Sequence, residues 1–116
     1  MNIDKIREHY EHARQKHPYF CDKLFIESGR SDFKVEAKEK LYECRRMVDL
    51  LTTAGRISSE WLLECEFAEA KEAYANGDKT AAVEECYDTI AILLRVIDVI
   101  EAQQMLGKPE EKGETK

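Results

Sequence analysis

Asn76-Gly77-Asp78 separates two stretches of helical apolar spacing, and this break limits the possible folds more than any other feature of the chain. Glycine accepts the positive φ that ends a helix, and aspartate is a strong cap for the start of the next. A stop, a short turn and a new start lay the flanking helices antiparallel and side by side. Each flank carries an acidic pair at i, i+3 spacing, Glu66-Phe67-Ala68-Glu69 before the turn and Glu85-Cys86-Tyr87-Asp88 after it. That spacing places both carboxylates of a pair on one helix face. Closing the hairpin brings four carboxylates together, and each raises the pKa of its neighbours. A hard divalent cation with oxygen ligands relieves the conflict, and Mg²⁺ suits such a site.

Whether these acids face inward follows from phase. At about 100° per residue, Glu69 lies about 60° from Glu66, while Leu62, Ala70 and Ala73 lie within about 40° of it. Glu60, Glu64 and Lys71, an ordinary wet side, lie about 120–160° away. Glu66 and Glu69 therefore sit on an apolar side. On the following helix, Ile92, Val96 and Val99 lie within about 40° of Glu85, and Asp88 falls nearer the boundary, beside Glu84, Arg95 and Asp98. Burying an unpaired carboxylate costs several kcal/mol. In a small domain such costs must be offset by cations, by basic side chains or by function.

The remaining chain also reads as helix. Ile3, Ile6, Tyr10 and Ala13 recur at helical spacing and predict a helix over 3–16, which Pro18 ends. Tyr19, Phe20, Leu24, Phe25 and Ile26 are expected to pack against something, and Ser28-Gly29-Arg30-Ser31 signals a turn. Ser31 or Asp32 can cap a second helix whose stripe is Phe33, Ala37, Leu41, Cys44, Val48 and Leu51, with Gly55 at its end. Ser58 reads as the cap of the third helix, with Ile57 and Leu62 placed for a hydrophobic staple. The fourth carries Ala82, Val83, Ile90, Leu93, Leu94, Ile97 and Ile100 to near Leu106. The expectation is an all-α, four-helix bundle-like domain over residues 1–106, with 1–30 forming an N-terminal helix and loop. The tail, 107–116, has no large apolar residue and is expected to be disordered.

Charge and cysteine usage exclude several function classes. The 116 residues carry a formal net charge of −6, so no basic excess exists to neutralise the phosphates of a nucleic acid polymer. The four cysteines form no C-x-x-C pair, which argues against structural zinc. Cys44, Cys65 and Cys86 fall on or near apolar helix sides and read as small buried hydrophobes. There is no signal-peptide pattern and no apolar run of the roughly 18–20 residues that spans a membrane, so the expected location is the cytoplasm.

The acidic hairpin resembles the MazG-like all-α nucleoside triphosphate pyrophosphohydrolases. The resemblance rests on Leu63-Glu64-Cys65-Glu66-Phe67-Ala68-Glu69-Ala70, on Glu84-Glu85-Cys86-Tyr87-Asp88-Thr89-Ile90 with Leu94-Arg95, and on the Asn76-Gly77-Asp78 turn. It covers about residues 58–100. The position before Glu66, often acidic in that family, is Cys65 here. The resemblance implies Mg²⁺-dependent hydrolysis of an NTP or dNTP to the monophosphate and pyrophosphate, with Glu66, Glu69, Glu85 and Asp88 as metal ligands. Either Glu69 or Glu66 would double as general base toward water. It also implies homodimers or homotetramers, in keeping with third and fourth helices more apolar than one short bundle can cover.

The triphosphate needs cations beyond the metal. Arg95, seven residues after Asp88, lies on nearly the same face and about 10 Å along the helix; its alternative is an ion pair with Asp98 or Glu84. Lys34, Lys38 and Arg45 form one row beside the second helix's stripe, read first as a solvated flank and second as phosphate contacts. Trp61, about 140° from Glu66, reads as core or subunit interface rather than as a base platform, for which Tyr42 and Phe33 are weaker candidates. His9 and His12 share a face that reads as surface. The competing function is a non-catalytic helical interaction module whose acids pair with a basic partner. A di-iron carboxylate protein fits less well, because that chemistry favours Glu-x-x-His and neither acidic helix contains a histidine.

Overall fold

Residues 1–26 and 28–106 are described by a computed structural model of the chain. Four helices follow one another: α1 (Ile3–Lys16), α2 (Phe33–Thr53), α3 (Ser59–Ala75) and α4 (Lys79–Thr115), with no strand among the described residues. The fold class is all-α, as the periodicity predicts. The expected disorder of 107–116 falls outside the described residues. No described helix is long and apolar enough to cross a membrane.

The helix ends follow the local chemistry. Gly55 and Gly77 have φ of 70° and 82°. At the first, the Arg56 N–H donates to the Leu51 carbonyl (2.8 Å) and the Gly55 N–H to that of Thr52 (3.0 Å). At the second, Asp78 N–H donates to the Ala73 carbonyl and Gly77 N–H to that of Tyr74, both at 3.0 Å. Both ends are Schellman motifs, which satisfy carbonyls the helix leaves open. Ser58 caps α3 by accepting from the Trp61 N–H, and Asp78 caps α4 by accepting from the Ala81 N–H at 3.0 Å. Asp32 precedes α2 without capping it through its side chain; its carboxylate is drawn instead to Arg30, 3.4 Å away.

The central helix is α3, which packs on α2 along one side and on α4 along another. Leu41 and Cys44 of α2 bury against Cys65 and Ala68 of α3, with Val48 alongside. A second cluster joins Phe25, Phe33 and Ala37 to Tyr74 and Ala75. The early part of α2 thus meets the late part of α3, which fixes an antiparallel register. Residue size lets α3 serve two neighbours: Ala68, Ala70 and Ala73 are buried and small enough for close approach on both sides.

Several expectations of burial are corrected. Of the apolar group after Pro18, only Phe25 is buried, its ring 6.4 Å from Phe33, 5.6 Å from Phe67 and 5.3 Å from Tyr74. Tyr19, Phe20, Leu24 and Ile26 stay exposed. α1 buries no residue, and no helix covers its stripe of Ile3, Ile6, Tyr10 and Ala13 among the described residues. Cys86 is exposed, unlike Cys44 and Cys65. It lies about 100° around α4 from Glu85, off the side that meets α3. Val83, Ile90, Leu93 and Ile97 are exposed for the same reason, and Ile100 is exposed as well.

A difference between two phenylalanines checks this packing. Phe25→Ala should lower unfolding stability by about 3 kcal/mol, the usual result of emptying a buried ring site, whereas Phe20→Ala should change it by less than about 0.5 kcal/mol. Urea denaturation followed by circular dichroism reads both.

Candidate metal centre

Glu66 leaves α3 on the side that meets α4, and Glu85 leaves α4 toward α3. Glu66, Glu85 and Asp88 each offer one carboxylate oxygen, and the three atoms lie within 4.8 Å of one another. Asp88 is exposed and closes the trio from its edge, while Glu66 and Glu85 are half-buried. The hairpin therefore assembles three of the four predicted acids.

The fourth occupies a corner. About 60° from Glu66 on α3, Glu69 lies between the side that meets α4 and the side that meets α2. One neighbour is Glu85, whose carboxyl it helps push up. On the other side its Oε2 faces the Arg45 guanidinium at 3.7 Å and accepts a long contact from the Cys65 thiol at 3.9 Å. Arg45, read from its position as a solvated flank first, thus reaches the acidic cluster while its side chain remains 59% exposed. Lys34 and Lys38 are exposed on α2. Arg95 is exposed and forms no ion pair with Asp98 or Glu84 among the described residues; Asp98 pairs instead with the Met1 amine at 3.2 Å. His9, His12 and Tyr42 are exposed, Trp61 is half-buried and Phe33 is buried. A groove of about 950 Å³ runs along the end of α1, lined by Tyr10, Arg14, His17, Pro18 and Phe20 among others, and none of the four acids lines it.

The electrostatics report an unresolved conflict. Glu85 is pushed up to about 7, first by burial, then by its hydrogen bond to Glu69 and by the charges of Glu69 and Asp88. Glu66 is also raised, by burial first and then by the charges of Asp88 and Glu85, with Glu69 and Arg45 opposing. Glu66 Oε2 and Glu85 Oε1 are buried oxygens with no hydrogen-bond partner. Native proteins rarely leave such atoms bare, and an ion is one of the few explanations. An all-oxygen donor set fits Mg²⁺: an octahedral shell with oxygens about 2.1 Å from the ion is about 4.2 Å across, close to the span of the trio. Soft ligands are not part of the trio, since the Cys65 thiol points to Glu69 and burial lifts its pKa to about 11.

Compared with protein-family models, curated proteins and solved structures, the chain matches none.

Stability should depend on pH with a definite sign. The Glu85 carboxyl rises from an ordinary 4.5 to about 7 in the folded chain. Between those values the folded state keeps a proton that the unfolded state has lost, so stability falls as pH rises through that window. Glu85→Gln should remove this part of the fall and raise the melting temperature of the metal-free protein at pH 8 by about 5 °C, the equivalent of about 1 kcal/mol in a chain of this size. Calorimetric scans from pH 4 to 8 in a chelating buffer measure both effects.

Proposed function

We propose that the chain is a Mg²⁺-dependent nucleoside triphosphate pyrophosphohydrolase, acting on an NTP or dNTP. The observation that carries this reading is the pair of buried, unpartnered oxygens, Glu66 Oε2 and Glu85 Oε1, within a carboxylate trio on facing helices. The resemblance of the hairpin to the MazG-like group supplies the reaction class. Glu66, Glu85 and Asp88 would hold the ion, with Glu69 beside them. Bound there, Mg²⁺ neutralises phosphate charge and acidifies water. In the proposed reaction the oxygen of a water bonds to the α-phosphorus, the bond from that phosphorus to the α–β bridging oxygen breaks, and pyrophosphate leaves. Glu69 is the better placed general base. It is half-buried beside the trio, and its Oε2 has only the loose Arg45 and Cys65 contacts. Arg45 is the cation nearest the acids for a phosphate, with Lys38 and Arg95 exposed farther along their helices.

Self-association belongs to the same proposal. The side of α4 opposite Glu85 carries Val83, Ile90 and Ile97, all exposed. Contiguous apolar surface of this kind marks an interaction site. A second copy laid against it would complete a four-helix bundle from two hairpins, giving a homodimer or a homotetramer. Cytoplasmic location is part of the same reading, as the place where such substrates are made and consumed.

Pyrophosphate release from a panel of ribo- and deoxyribonucleoside triphosphates tests the reaction. Release that needs Mg²⁺ and falls at least about 100-fold in Glu69→Gln and Glu85→Gln is the expected result, the scale on which general acid–base and metal catalysis act. No release from any nucleotide by the folded wild type would favour the alternative, an interaction module that uses its acids to hold a basic partner.

A further inference from the structure

Glu69 faces two ways, toward Glu85 of α4 and toward Arg45 of α2. We infer that Arg45 is a built-in counter-charge, holding Glu69 until a divalent cation binds and then turning to the phosphate of the substrate. This deepens the metal-site reading above and rests on it.

The geometry suits an exchange of partners. At 3.7 Å, the guanidinium is beyond good hydrogen-bonding distance of Glu69 Oε2, and the arginine side chain is 59% exposed. A pair so long and so wet is weak, so little opposes its separation. The other neighbour of that oxygen is a thiol, a weak donor, at 3.9 Å. Glu69 is thus held lightly on the α2 side, with Glu85 of the trio as its neighbour toward α4. A divalent ion held by Glu66, Glu85 and Asp88 would attract Glu69 more strongly than Arg45 does. Once Glu69 turns inward, the Arg45 donors are left open at the edge of the site. A planar guanidinium fits phosphate oxygens two at a time. Arg45 therefore competes with the metal and cooperates with the phosphate, and these roles have opposite signs.

Two affinities separate them. Mn²⁺ binding by electron paramagnetic resonance and inorganic pyrophosphate binding by calorimetry at saturating Mg²⁺ are measured on wild type, Arg45→Gln and Arg46→Gln. Arg46, exposed at the next position of α2, loses the same charge while pointing about 100° away. Arg45→Gln should tighten Mn²⁺ by about two- to fivefold, the range expected on freeing a carboxylate from an exposed ion pair, and weaken pyrophosphate by about tenfold. Arg46→Gln should change either by less than about 1.5-fold, as screening predicts for a charge outside the site. Unchanged Mn²⁺ affinity in Arg45→Gln, or an equal gain in Arg46→Gln, overturns the competition. Unchanged pyrophosphate affinity in Arg45→Gln overturns the phosphate role. A wild type that binds no Mn²⁺ overturns the metal site itself, an outcome distinct from both.

Discussion

The repulsion among carboxylates at the α3–α4 hairpin is the constraint on which the rest of this structure turns. Glu66 and Glu85 are directed at each other by the same packing that buries Ala70, Ala73 and Ala82. The helices cannot separate to relieve the acids without exposing those alanines, and the acids cannot turn to water without leaving the helix side that packs. The conflict is therefore built in. In the metal-free chain it pushes the Glu85 carboxyl up to about 7, and Arg45 beside Glu69 eases it in part. In the proposed reading, a divalent cation would relieve it further.

The surrounding architecture serves this hairpin unevenly. α2 covers one flank of α3 and supplies Arg45. Phe25 closes the far end of that seam by inserting one ring among Phe33, Phe67 and Tyr74. α1 contributes nothing to the core. Together with the uncovered side of α4, it leaves the chain with more apolar surface than its own helices use. The hairpin thus has an apolar outer side and an acidic inner side.

Most of the hairpin was legible in the sequence because its determinants are local. Gly77 needs positive φ, Asp78 caps through its own side chain, and the inward phase of Glu66 and Glu85 follows from counting residues. The place of Arg45 was not legible, because it depends on the register of α2 against α3. That register is set by Leu41 and Cys44 meeting Cys65 and Ala68, contacts between residues more than twenty positions apart. The segment after Pro18 misled for a related reason: five apolar residues in eight positions all look buried, yet only Phe25 meets rings of α2 and α3. Asp88, read from phase as a boundary residue, does sit at the edge and still joins the trio, since an i, i+3 neighbour of Glu85 reaches the same end of the site.

Anomalous diffraction from crystals grown with Mn²⁺ tests the central claim most directly. A peak bound by Glu66, Glu85 and Asp88, with Glu69 drawn in from Arg45, is the predicted result. Carboxylates that bind no ion at millimolar Mn²⁺, or that are filled by lysine or arginine side chains of another chain, would contradict it and make the acidic hairpin a docking surface.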